Sequence, residues 1–382
     1  LKDPEFKLDT TFTFNADQIV ELLDLPFDWE GKISGEGVLR RQDGFLGINA
    51  DFSSDSLFLN DVFMGNTSGK IMYVENSGGR LEFNVKRRSV RLEYLRLELG
   101  KDKMEGYFRG VYLEPLMKYL EIPWPVSSPA WGTFILFNDR LTAEVEFRDD
   151  LETDNKGKFP FRGSAVIEWD GSNEVLITSD DIESTFLKGE VDAKIIIDKQ
   201  LDINIKGDVK DVTAAREFTS LILQKTFDFP EIRGQGKAEV RIFGDYLSPQ
   251  VKTDFYVSPG GFDLFDAQVV EGEVELIGKD FFGRFKISDP LASGRIGLFT
   301  REEDLKVDIR MEKGMVEAIL PHLNIDLPLE GEASGSFEVK QTDSDIHVEG
   351  NFFGEKLRFS GQEIEDVRGK LIWEKNSLDL NE

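Results

Sequence analysis

Apolar and polar residues alternate with a period of two through most of this chain. Phe6, Leu8, Thr10, Phe12 and Phe14 share one parity, the pattern of a strand with one apolar face. The alternation returns at Leu46, Ile48, Ala50 and Phe52, at Leu81, Phe83 and Val85, and at Leu141, Ala143, Val145 and Phe147. It continues to Phe337 and Val339 and beyond. Turn signals such as Asn76-Ser-Gly-Gly79 and Ser258-Pro-Gly-Gly261 separate the runs. The pattern predicts about 25 strands, mainly antiparallel. Between Leu92 and Leu99 the apolar parity changes in mid-run, which predicts a bulge or two strands there.

A helical period interrupts this four times. Ile19, Val20, Leu22 and Leu23 form a stripe that starts after Asn15 and stops before Pro26, and a Gly-rich strand opening follows. Leu113, Leu116, Met117 and Leu120 repeat the phrase, with Pro115 in the first turn and Pro123 behind. Val212, Ala215, Phe218, Leu221 and Ile222 do so before Pro230 and Gly234-Gln-Gly236. The fourth copy runs from Met315 to Leu327, carries Pro321 as an early breaker, and leads through Pro328 into Gly331. The prolines at 26, 123, 230 and 328 are spaced by 97, 107 and 98 residues. Such spacing implies a repeat array. The expected modules are 1–111 (helix near 15–24), 112–210, 211–312 and a truncated 313–382, with each helix capping the sheet on its apolar face.

Composition narrows the picture. The 382 residues carry a formal net charge of −27, which opposes nucleic acid binding, since that depends on Lys and Arg at phosphates. Lys86-Arg87-Arg88 is the one dense basic cluster and reads as a solvated hairpin turn. There is no Cys, hence no disulfide and no thiolate chemistry. No run approaches the roughly 18 apolar residues of a membrane helix. The chain starts at Leu1, and the expectation is a fragment or processed chain whose upstream anchor lies outside it.

Candidate chemistry is thin. His322 and His347 lack companions at metal-ligand or triad spacing. The acidic loop 149–158 lacks calcium-loop spacing, and the Gly-x-Gly openings precede strands rather than helices. No cofactor, metal or catalytic residue is expected. Carboxylates are plentiful enough to keep a glycosidase pair as a minor alternative.

What remains is an apolar face repeated over many strands and rich in Phe, Val and Ile. A sheet of about 25 strands at ~4.8 Å each would run for roughly 120 Å. It must either fill with side chains as a sandwich or curl into a trough open to an apolar ligand. A ~16-carbon acyl chain would gain ~13 kcal/mol on full burial. The inward-parity residues expected to line such a groove are Phe52, Phe83, Val145, Phe147, Ile195, Ile197, Ile203, Ile205, Val240, Ile242, Phe255, Phe285, Ile287, Val307, Ile309, Phe337 and Val339.

Two stretches resemble a known group. They are Gly234-Gln-Gly-Lys-Ala-Glu-Val-Arg-Ile-Phe-Gly244 with Pro249-Gln-Val251, and Leu327-Pro-Leu-Glu-Gly331 through Gly350-Asn-Phe-Phe-Gly-Glu-Lys-Leu-Arg-Phe359 into Val367-Arg-Gly-Lys-Leu371. They are similar to the AsmA-like / TamB family, over most of the chain. The resemblance implies a β-taco, an elongated antiparallel sheet curled into a hydrophobic groove with short interspersed helices. It implies a periplasmic location with an inner-membrane anchor outside this chain. It further implies phospholipid acyl chains as cargo, moved without catalysis between the inner and outer membranes, and an outer-membrane BamA-like barrel protein as partner. The chain would be an internal fragment. The alternative is a structural or assembly scaffold with a filled β core.

Overall fold

The computed structural model describes residues 5–18, 28–59, 62–87, 91–112, 128–151, 160–197, 199–222, 231–245, 248–262, 265–278, 280–301, 304–319, 328–342, 345–374 and 377–381. About 81% of the described residues are strand and 5% helix, and the antiparallel sheet is not closed into a barrel. The fold class read from the alternation is therefore the fold observed.

Two compact units divide the chain: Leu1–Thr185 with Asp192–Ile197, and Phe186–Val191 with Asp198–Glu382. The division falls inside the second of the four expected modules. The first unit is built from β1 (Phe6–Asn15), β2 (Trp29–Glu30), β3 (Lys32–Gln42), β4 (Phe45–Leu59), β5 (Val62–Val74), β6 (Gly78–Arg87), β7 (Arg91–Leu99), β8 (Lys103–Tyr112), β9 (Pro129–Phe137), β10 (Arg140–Arg148), β11 (Phe161–Trp169) and β12 (Glu174–Ser184). From β3 to β12 each strand pairs antiparallel with the next, β1 pairs with β3, and the short β2 pairs with β4.

β13 (Leu187–Ile196) supplies residues to both units. The second unit continues with β14 (Gln200–Val209), α1 (Val212–Ile222), β15 (Ile232–Asp245), β16 (Gln250–Phe262), β17 (Phe265–Ala267), β18 (Val269–Ile277), β19 (Asp280–Ser288), β20 (Ala292–Arg301) and β21 (Asp304–Met315). It closes with α2 (Val316–Ile319), β22 (Leu329–Thr342), β23 (Asp345–Phe359), β24 (Gln362–Glu374) and β25 (Ser377–Asn381). From β14 onward most strands pair antiparallel with the next in sequence, while β17 and β18 both pair with β16.

Because side chains alternate across a strand, the registers sort residues into two faces. In the first unit Phe12, Gly35, Phe52, Gly69, Phe83 and Leu95 lie in one cross-strand row. In the second, Ile205, Val240, Thr253 and Val274 form another. The opposite face carries cross-strand ion pairs, including Arg80–Glu98 at 2.7 Å, Arg241–Asp202 at 2.8 Å and Arg284–Glu273 at 2.8 Å. Arg241 binds Asp202 through two nitrogens, and those hydrogen bonds hold the Asp202 carboxyl below its ordinary range.

The parity change near Leu92 resolves differently from expectation. β7 is one strand, with an unbroken register against β6 from Arg87↔Arg91 to Gly79↔Leu99. Glu93, not Leu92, takes the position on the apolar face beside Leu95 and Leu97, and it is 2% exposed. Tyr94 sits on the outer face, where its ring meets Tyr107 at 6.0 Å. A buried carboxylate broke the sequence pattern, not the backbone.

Two of the four helical phrases have described helices. Asp211 caps α1: its Oδ1 accepts hydrogen bonds from the Thr213 and Ala214 N–H groups at 2.9 and 3.2 Å. Phe218 of α1 packs on Phe186 with ring centroids 5.0 Å apart. Val316 of α2 is buried with Ala333 and Leu357, against Met311, Leu329 and Val367. Most of the first helical phrase, all of the second, Pro321 with His322, Arg88 and most of the loop 149–158 lie outside the described residues.

The strand-opening glycines of the first, third and fourth phrases share one backbone state. Gly31, Gly234 and Gly331 have φ of 123°, 120° and 120°, a region closed to most L-residues. Nearby, the ladders shift register between Gly234 and Gly236 and between Gly331 and Ser334, where bulges bend the strands. Backbone geometry thus repeats where the sequence phrase repeats.

Candidate functional site: the apolar sheet face

In the first unit, Phe52 and Phe83 are buried in a cluster with Ala16, Trp29, Ile33, Leu57, Ile71, Leu81 and Leu97. The Trp29 ring, 2% exposed, meets Phe52 at 6.0 Å and Phe83 at 5.1 Å in edge-on geometry. This end of the face is a filled core. Val145 is buried with Ala130 and Ala143, and Phe147 packs against that cluster. Ile195 shares the parity of the buried Ala193 on β13, and Ile197 follows the strand, its N–H donating to the Asn173 carbonyl at 2.8 Å.

In the second unit, Ile203 pairs with Ile242, and Ile205 with Val240. Phe255 and Phe285 both pair with Gly272, Ile287 with Val270, Val307 with Val339, and Ile309 with Phe337. Ile203, Ile242 and Phe285 are buried, whereas Ile205, Val240, Phe255, Ile287, Val307, Ile309, Phe337 and Val339 are half-buried. The face of this unit therefore keeps a partly accessible apolar surface across many strands.

A cavity of about 950 Å³ spans β16 and β18–β23, lined by Phe255, Phe285, Ile309 and Phe337 of the expected set. The other expected residues of this unit lie outside it. Its lining takes consecutive residues from most strands, such as Glu271-Gly272-Glu273 and Asp308-Ile309-Arg310. Residues of the charged parity therefore border it along with the apolar ones, and it is not a purely apolar compartment.

The expected list omitted the glycines that lie beneath phenylalanine rings on this face. Gly-X-Phe recurs at Gly106-Tyr-Phe108, Gly132-Thr-Phe134, Gly283-Arg-Phe285, Gly335-Ser-Phe337 and Gly350-Asn-Phe352. In an antiparallel pair one copy meets another reversed: Gly106↔Phe134 with Phe108↔Gly132, and Gly335↔Phe352 with Phe337↔Gly350. Rings lie over the bare glycine backbones. A Cβ on Gly69 would meet the Phe52 ring at 2.7 Å, one on Gly132 the Phe108 ring at 2.8 Å, and one on Gly369 the Phe352 ring at 2.5 Å. The rings also meet each other across the glycine strand. Phe52 and Phe83 approach to 5.8 Å over Gly69, and Phe255 and Phe285 to 6.2 Å over Gly272. The Gly-X-Phe spacing was the available sequence signal, since residues i and i+2 share a face.

Among the described residues no cluster of three or more His, Asp or Glu side chains is arranged to hold a metal ion. His347 lies on β23 with its Nε2 3.8 Å from Glu349. Among the described residues no helix is long and apolar enough to cross a membrane. Comparison with protein-family models, curated proteins and solved structures finds no match.

Proposed function

We propose that this chain is a non-enzymatic lipid carrier of the AsmA-like / TamB type. Its apolar sheet face holds phospholipid acyl chains in the bacterial periplasm between the inner and outer membranes. The observation that supports this most directly is the half-buried apolar face of the second unit, formed by Val240, Phe255, Ile309, Phe337 and Val339. Exposing such a surface to water costs ~25 cal/mol per Å², and covering it with acyl chains removes that cost without directional chemistry. Charged residues on the opposite face keep the sheet hydrated. In this reading the anchor to the inner membrane and the contact with a BamA-like barrel belong to parts of the protein outside the chain.

The test is native mass spectrometry of the purified chain with lipid extraction. Bound phospholipid in the wild type, lost in Val240→Arg with circular dichroism unchanged, is the expected result. A lipid-free wild type that also takes up no lipid from vesicles would remove the proposal's support.

A second reading is a filled-core scaffold, and the sealed Trp29–Phe52–Phe83 cluster favours it for the β2–β7 end of the first unit. The same experiment separates the two, since a scaffold carries no lipid and tolerates Val240→Arg only at a cost in stability.

A further inference from the structure

The cross-strand glycine–phenylalanine pairs have a role that burial alone does not require. An apolar face could be built from Val and Ile on every strand, as β14 and β15 do with Ile203, Ile205, Val240 and Ile242. A glycine within a strand weakens it by roughly 0.5–1 kcal/mol relative to Ala. Yet glycines recur on the apolar face, and several, among them Gly69, Gly106, Gly132 and Gly369, lie beneath a ring from a neighbouring strand. Gly106 is the clearest case: the three atoms nearest to an added Cβ all belong to the Phe134 ring. At Gly369 the nearest are likewise ring atoms of Phe352, at 2.5, 2.6 and 3.4 Å. Neither glycine has a positive φ, so main-chain conformation does not demand glycine there.

A ring above a glycine lies down on the sheet. A ring beside a residue with a Cβ has to stand away from it, and the space above the sheet shrinks accordingly. We infer that the Gly106–Phe134 and Gly369–Phe352 pairs set the depth of the apolar groove, and thereby the room left above the rings for an acyl chain. This rests on the lipid-carrier reading and adds to it the residues that fix the clearance. They are positioning residues: the glycine acts through the ring.

The test uses the full chain and a fluorescent single-chain palmitoyl probe. Gly106→Val is expected to weaken probe binding about ten-fold, equivalent to roughly two fewer buried methylenes. Its thermal midpoint should hold or rise, because Val favours a strand. The double variant Gly106→Val/Phe134→Ala removes the lifted ring and is expected to restore binding to within about two-fold of wild type. Gly369→Val and Gly369→Val/Phe352→Ala repeat the test in the second unit, so misfolding of one variant leaves the other decisive. Wild type that binds probe, with binding unchanged in both single variants or unrestored in both doubles, overturns the inference while leaving the lipid reading intact. Wild type that binds no probe overturns both.

Discussion

Glu338 illustrates how single residues on the outer face are held. It accepts from Lys306 at 2.8 Å and also pairs with Lys340, and the two ammonium groups push its carboxyl down to about 2. A depressed carboxylate adds stability that is present above its ordinary value of 4.5 and is lost as pH falls toward 2. Glu338 is exposed to solvent screening, so the effect should be small. A carboxyl-carbon NMR titration should place its midpoint near 2, and Lys306→Met should return it toward 4.5. At the start of α1, Asp211→Ala removes the acceptor for two N–H groups and should cost about 1 kcal/mol in denaturant unfolding.

At the scale of elements, the strand openings are the most constrained points. Gly331 has φ of 120°, and an added Cβ would lie 2.6 Å from the Lys356 carbonyl oxygen. Gly331→Ala should therefore destabilise by about 1–3 kcal/mol in thermal unfolding, unlike Gly369→Val, where the nearest atoms all belong to the Phe352 ring. Many of the described strands, and the helix α1, were legible from period alone. The alternation at Leu201, Ile203 and Ile205 became β14, and the stripe at Val212, Ala215 and Phe218 became α1. β7 was misread because Glu93 occupies an inward position. Hydropathy marks a buried carboxylate as outward, and only pairing with β6 shows which face it takes.

At the scale of the molecule, most of the described strands within each unit are bonded to the next in sequence, so stability should be local in the manner of repeat arrays. Trp29→Ala deletes the ring between Phe52 and Phe83 and should cost about 3–5 kcal/mol. Hydrogen exchange should accelerate from β2 to β6 and remain unchanged from β18 to β24. Equal acceleration throughout would show a single cooperative block.

The sequence by itself determined the β class, the spacing of the strands, the apolar parity and the four-fold recurrence of the helix–Pro–Gly phrase. All of these follow from local periodicity and from residues whose backbone preferences are intrinsic. Only the tertiary structure decided which inward residues are sealed and which remain half-buried. Phe52 and Val240 look alike in their strands, yet Trp29 covers one and the other stays partly accessible. It also decided that glycines lie beneath the phenylalanine rings. Register across strands is a long-range property, so which glycine meets which ring is set by the pairing of distant segments rather than by either segment alone.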